Sequence, residues 1–238
     1  MTAIRGYADI LHKLVPENEQ IARIVEGITA GQQRLHEIVE SMLDVAKIEQ
    51  GGLQIPQSYV RLDDVIGEVI SDFQPTLQER ALTLQAEGLD ALPRIQGDVK
   101  LLSKAFRNLI VNAIKYTPDG GSIFVRGKEM HLDDQPGVEV AIQDTGVGID
   151  PENQALIFEK FYHPGDVDSH SSGTTEFMAV GPGLGLPIAL GIVQAHQGEI
   201  RVESEGYDEA TFPGSTFFVT LPVHHRKSVL SNIGRLDE

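Results

Sequence analysis

The sequence predicts an α+β protein, with an antiparallel helical hairpin first and then a mixed, antiparallel-rich sheet carrying helices on one face. Three observations predict it. Apolar residues from Ile21 to Val45 recur at alternating spacings of three and four, which is a helical seam. Beyond Gln50-Gly51-Gly52, strand-like and helical runs mix without a strict strand–helix–strand repeat, as expected of an antiparallel-rich sheet. Between them, Asp98 to Thr117 reads as one amphipathic helix, opened by a good N-cap and stopped by Pro118-Asp119-Gly120-Gly121.

The first region, residues 1–52, begins with Ile4, Tyr7, Leu11 and Leu14 at helical spacing, broken by Pro16-Glu17-Asn18. The seam of the second helix is Ile21, Ile24, Ile28, Gly31, Leu35, Ile38, Met42 and Val45, widened by Val25, Val39 and Leu43. A seam with flanking apolar residues suits a four-helix bundle, supplied by two hairpins from two chains. The alternative is a monomeric hairpin packed on the rest of the protein. Gln50-Gly51-Gly52 ends the helix and marks the boundary.

The second region, residues 53–223, opens with a short strand at Tyr59-Val60-Arg61-Leu62 and a helix from Asp63 to about Gln78. Leu82, Leu84 and Ala86 alternate as a strand, and Leu92 to Gln96 leads into the central helix. Ser122–Gly127 and Val138–Gln143 follow as strands around a turn at residues 133–137. Leu184–His196 is helical, and Ile200–Glu203 and Thr216–Leu221 are the last strands. Residues 224–238 form a polar tail.

In the central helix, Leu101, Leu102, Ala105, Phe106, Leu109, Ile110, Ala113 and Ile114 make one apolar stripe. Asn108 and Asn112 stand one turn apart on a neighbouring face, followed by Lys115 and Tyr116. Two stacked amides, a cation and an aromatic suit a ligand made of base, phosphate and metal. An amide oxygen binds a hard divalent cation without adding a full negative charge beside phosphate. Taken alone, the same residues also fit a solvated helix face.

The bulk properties narrow the classes. A formal net charge of -16 argues against a nucleic-acid-binding surface. The chain has no cysteine, hence neither a disulfide framework nor a thiolate metal site. No apolar run is long enough to span a bilayer, which is compatible with a cytoplasmic location whether or not a longer parent is membrane-anchored.

Downstream of the two asparagines come Asp144-Thr145-Gly146-Val147-Gly148-Ile149, then Ile157-Phe158-Glu159-Lys160-Phe161-Tyr162, then Gly181-Pro182-Gly183-Leu184-Gly185-Leu186. In that order they resemble the N, G1, F and G2 boxes of sensor histidine kinases of two-component systems, which carry the Bergerat (GHKL) ATP-binding fold. The resemblance extends from Met1 to about Pro222. Residues 1–52 resemble the dimerisation and phosphoacceptor domain, without its His-Glu-Leu-Arg-Thr-Pro-Leu block. His12 and His36 lack the residues that surround a phosphoacceptor.

The resemblance implies an ATP-binding transmitter whose parent transfers the γ-phosphoryl to a histidine and then to a response-regulator aspartate. It implies ATP and Mg²⁺ as cofactors, with a homodimer and a receiver domain as partners. Autophosphorylation is not expected of this chain alone. Asp144 would accept a hydrogen bond from the adenine amine, with Gly146 and Gly148 letting the backbone approach the ring, and Ile149 belongs to the same binding set. Asn112 would ligate Mg²⁺, Asn108 would assist at phosphate or metal, Lys115 would pair with phosphate and Tyr116 would pack near adenine. Phe158 and Phe161 would anchor a lid closed by Gly181, Gly183, Leu184, Gly185 and Leu186 at a helix N-terminus. Thr216 completes the expected ATP-binding set.

Two departures stand out. Pro182 takes the place of a hydroxyl residue and removes an N–H donor. His163 stands where the family usually has arginine, which makes a lid cation pH-dependent. Alternative readings are another Bergerat-fold ATPase or a non-catalytic nucleotide-binding scaffold.

Overall fold

A computed structural model describes residues 19–51, 53, 55–56, 58–132, 135–163, 175–178 and 181–225. The first helix of the expected hairpin, with His12, lies outside these residues, as do 164–174 and 179–180 of the expected lid and 226–238 of the expected tail. The chain divides into two compact units between Lys47 and Ile48.

The helix α1 runs Glu19–Glu49. Its seam is only partly covered: Ile21, Ile38 and Val45 are half-buried, whereas Ile24, Ile28, Leu35 and Met42 are exposed, Leu35 at 57%, and the flanking Val25 is buried. Val39 and Leu43, which widen the stripe, are exposed as well. His36 pairs with Glu40 one turn on, as an ordinary helix-surface residue does.

In the second unit, β1 (Tyr59–Val60) pairs antiparallel with β3 (Ile95–Gln96). The helix expected as far as Gln78 is instead two, α2 (Leu62–Asp72) and α3 (Gln74–Glu79), broken at Phe73. Pro75, in the first turn of α3, cannot continue a helix, because its ring clashes with the carbonyl four residues back. Next come β2 (Thr83–Glu87), α4 (Val99–Tyr116), β4 (Ser122–Leu132) and β5 (Gln135–Asp144). A 3₁₀ turn at Leu156–Phe158, α5 (Gly185–Ala195), β6 (Glu199–Glu203) and β7 (Ser215–Pro222) complete it.

The five-stranded sheet has the order β2-β4-β5-β7-β6, parallel between β2 and β4 and antiparallel elsewhere. The β4–β5 hairpin is longer than the sequence reading: Pro136 and Gly137 lie in the ladder, opposite His131 and Met130. Alternation sets the core face. Val138, Val140 and Ile142 of β5 stand opposite Leu221, Val219 and Phe217 of β7, and all six are buried. Fully burying each is worth roughly 1.5–3 kcal/mol. Helix α4 packs on β5 and against α2 and α5. Its buried stripe is Leu102, Ala105, Phe106, Leu109, Ile110, Ala113 and Ile114, while Leu101 is only half-buried. Past β7 the chain stays attached: Val223 N–H donates to the Pro136 carbonyl at 2.9 Å and His225 N–H to Gln96 Oε1 at 2.7 Å. His225, within the expected tail, is thus attached to β3.

Candidate functional site

Asp98 starts α4 as an N-cap, its Oδ1 accepting from the Lys100 and Leu101 N–H groups at 2.8 and 3.0 Å. The helix carries Asn108, Asn112, Lys115 and Tyr116 along a half-buried face. Asn108 Nδ2 is buried without a hydrogen-bond partner among the described residues. The start of α5 faces it: a Cβ built on Gly185 would lie 3.7 Å from Asn108 Oδ1. Leu184, the N-cap of α5, makes no side-chain capping hydrogen bond among the described residues. Leu184 sends its side chain into the core, and Leu186 is half-buried.

Lys115 Nζ lies 5.1 Å from the Tyr116 ring centroid and 3.7 Å from a Cβ built on Gly181. The expected lid anchors behave differently from each other. Phe158 packs edge-on against Phe217 at 6.4 Å. Phe161 does not anchor by packing: it is 58% exposed with φ +61, and its N–H donates to the Gly183 carbonyl at 3.0 Å. The buried apolar residue of that turn is Ile157. Gly183, at φ +66, has no room for a Cβ, which would meet Phe161 Cα at 2.9 Å and His163 Nε2 at 3.0 Å. Partial burial, then the charge of Lys115, holds the His163 imidazole below its ordinary proton affinity.

At the end of β5, Asp144 is 4% exposed. Its Oδ1 accepts from Gly146 N–H at 2.8 Å and Ser215 N–H at 3.3 Å, and its Oδ2 accepts from Ser215 Oγ at 2.5 Å. Burial raises the carboxyl's proton affinity, and the Ser215 and Gly146 donors oppose it. A carboxylate has about four lone-pair sites. The described residues fill three, which leaves one acceptor site on Oδ2.

The glycines after Asp144 have a cause within the protein itself. A Cβ on Gly146 would meet the Tyr116 carbonyl at 2.3 Å, and one on Gly148 the Gly206 carbonyl at 2.0 Å. The protein's own backbone requires them. Val147 N–H donates to the Tyr116 carbonyl at 3.2 Å, so this loop is tied to the last turn of α4. Ile149 N–H donates to Ser204 Oγ at 2.9 Å, and Gly148 bridges Tyr207. Burial pushes the Tyr116 phenol up from its ordinary value.

Thr216 is not brought to this group. It pairs with Gln143 and Glu203 on the outer face of the sheet, while Ser215, opposite Asp144, faces inward with Phe217. The parity of Phe217, Val219 and Leu221 carries that signal in the sequence. A second residue missed is Arg80, buried to 7% exposure beneath the end of α4.

The mixed sheet, the helix layer and the Asp144 loop define an ATPase fold. The chain belongs to the histidine kinase-, DNA gyrase B- and HSP90-like ATPase family, whose model matches residues 97–225. Residues 1–51 match the His Kinase A (phospho-acceptor) domain, and the two together are the transmitter of a sensor histidine kinase. The chain is 32% identical to drug sensory protein A of Synechocystis sp. over 97% of its own length and 34% of that protein. It is 29% identical to sensor-like histidine kinase SenX3 of Mycobacterium bovis over 90% of its length and 48% of that protein. Full-length ShkA, solved in complex with AMPPNP, shares the fold at TM-score 0.75 and 21% identity, over 94% of this chain and 43% of that one. The chain thus spans between a third and a half of the two relatives' length.

Proposed function

We propose that this chain binds Mg²⁺-ATP and supplies the nucleotide half of a histidine kinase reaction. The parent protein transfers the γ-phosphoryl to a histidine and then to an aspartate of a response-regulator receiver domain. The observation that carries the reading is the buried Asp144 carboxylate with one acceptor site left, which suits an adenine exocyclic amine. The residues also fit the rest of the ligand. Among the described residues, Asn108 keeps a buried amide N–H₂ without a partner, the uncapped start of α5 faces it, and Lys115 supplies a cation.

In this reading Asp144 and the Gly146–Ile149 loop orient the base, with Tyr116 beside it. Lys115 and the N–H groups of Gly183–Leu186 compensate phosphate charge, with Gly181 leading into that turn. Asn108 donates to phosphate, and the Asn112 amide oxygen would hold Mg²⁺. Bound Mg²⁺ neutralises phosphate charge and favours transfer of the γ-phosphoryl. The protein's own contribution is positioning and charge compensation. The exposed row Ile24, Ile28, Leu35 and Met42 on α1 supports a homodimer through the N-terminal region.

Calorimetric titration with ATP and ADP, with and without Mg²⁺, tests the reading. Wild type should bind both, more tightly with Mg²⁺, and Asn112→Ala should lose most of the Mg²⁺ dependence. A wild-type chain that takes up neither nucleotide defeats the proposal.

A further inference from the structure

Arg80 lies in a Gln-Glu-Arg-Ala run that reads as solvated surface, yet it is among the few buried charged residues of the described chain. Its guanidinium is almost fully used. Nε donates to Asp119 Oδ1 at 2.8 Å, and Nη2 donates to the Thr117 carbonyl at 2.6 Å. Nη1 donates to two carbonyls, Ile114 at 2.6 Å and Thr175 at 2.9 Å. The Ile114 carbonyl belongs to the last turn of α4, where helix carbonyls lack intrahelical partners and the helix dipole is negative. A planar, permanently charged fork meets several fixed acceptors there, which a lysine cannot do.

The same turn carries Lys115 and Tyr116. The Lys115 carbonyl accepts from Met178 N–H at 2.9 Å. The segment Thr175–Met178 is therefore fastened at both ends, by Arg80 at Thr175 and by the helix backbone at Met178. Phe177 lies over the guanidinium, with 6.0 Å between Cζ and the ring centroid. Tyr116 is held separately, because its carbonyl accepts from Val147 N–H and backs onto Gly146. The base side of the candidate site thus has its own support, whereas the Lys115 side shares Arg80 with Thr175–Met178.

We infer that Arg80 is a positioning residue for the phosphate side of the site: its four hydrogen bonds hold the last turn of α4, with Lys115, and the Thr175–Met178 segment as one unit. This inference rests on the nucleotide reading for its consequence, although the fastening itself does not. Arg80 touches no reacting atom.

The test compares Arg80→Gln, Arg80→Lys and Asp119→Asn with wild type in the full chain. Mg²⁺-ATP and adenosine are titrated separately, and hydrogen exchange at the Met178 amide is followed without nucleotide. In Arg80→Gln the ATP affinity should fall about tenfold or more, adenosine should change less than about twofold, and Met178 should exchange at least about tenfold faster. Arg80→Lys should recover only part of the ATP loss. Asp119→Asn removes the charge of the most exposed of the four acceptors while keeping an acceptor oxygen, and should leave both affinities in place.

Equal weakening of ATP and adenosine, unchanged ATP affinity, or unchanged Met178 exchange in a folded Arg80→Gln each overturns the inference. If Arg80→Gln does not fold, the same comparisons on Arg80→Lys decide, and failure of both to fold makes Arg80 a residue of the fold alone. A wild type that binds neither ATP nor adenosine defeats the nucleotide reading instead, and the Met178 exchange rates still judge the fastening.

Discussion

The imidazole of His196 accepts the main-chain N–H of Asp98 at 3.1 Å, across 98 residues of sequence. Its other nitrogen, Nδ1, lies 2.7 Å from the Ile192 carbonyl, which can only accept. The two partners assign the neutral tautomer with the proton on Nδ1. One fully buried ring thereby ties the end of α5 to the cap of α4.

Acid should loosen this tie. Burial holds His196 below its ordinary 6.5, helped by the charge of His225 and opposed by the Ile192 carbonyl and Asp98. Because the folded value is depressed, the stabilisation is fully present above the unfolded value and is lost as pH falls through the folded one. Burial depresses His225 too, with the same sign. Urea unfolding between about pH 7.5 and 5 should show a decline in wild type. His196→Gln should be less stable at neutral pH by about 1–3 kcal/mol, with a shallower decline. Parallel curves for the two proteins would sink the assignment.

Asp144→Asn should separate stability from binding. Burial raises the folded proton affinity of Asp144 above its ordinary 3.8. The stabilisation from that shift is present below the unfolded value and lost as pH rises through the folded one, so at neutral pH the ionised carboxylate is a cost. An asparagine amide can donate to Ser215 Oγ, and the variant should unfold at or above the wild-type midpoint. It places a donor where the adenine amine also donates. ADP and adenosine affinity should both drop, by about tenfold or more. Equal calorimetric affinity in the two proteins would remove the adenine role.

Ser215→Ala and Thr216→Val should differ sharply. The first leaves a buried carboxylate oxygen without its 2.5 Å donor and should cost about 1.5–3 kcal/mol. The second alters the outer sheet face and should stay within about 0.5 kcal/mol, with nucleotide binding intact. Chemical denaturation of both variants checks the strand parity directly.

Gly148→Ala and Gly181→Ala form a matched pair. At Gly148, φ is +74 and a Cβ would collide with the Gly206 carbonyl, so the loss should exceed about 1–2 kcal/mol. At Gly181 a Cβ meets, among the described residues, only the tip of Lys115, and stability should hold or rise by up to about 1 kcal/mol. Similar melting temperatures for the two variants would contradict the loop packing.

Leu35→Glu should shift a concentration-dependent dimer to monomer, since the side chain lies in the exposed row of α1. Sedimentation velocity over a wide concentration range would show it. An unchanged distribution would place any dimer contact elsewhere.

Much of this was legible because it is local. The Asp98 cap, the stripe of α4 and the succession of Asp144, Phe158 and Gly183 motifs follow from neighbours in sequence, and the structure bears out the first two directly. What stayed hidden depends on distant partners. Arg80 is a surface residue by type, and its burial arises from carbonyls more than thirty residues away. Gly146 and Gly148 announce tight backbone, but not that Tyr116 and Gly206 cause it. Ser215 was recoverable from alternation, whereas Thr216 entered with the family resemblance, which carries no strand parity. The break at Phe73 was signalled by Pro75 and overridden by the apolar periodicity around it.

The order of the sheet has a consequence for how these molecules meet one another. Its borders are β2 and β6, five residues each, and their outward residues are Thr83, Gln85 and Glu87 on one and Glu199, Arg201 and Glu203 on the other. Short, charged borders are poor templates for strand addition by a neighbouring molecule. Crowding should therefore drive reversible helix-mediated pairing rather than fibrous stacking of sheets, even though the interior strands are rich in valine, isoleucine and phenylalanine.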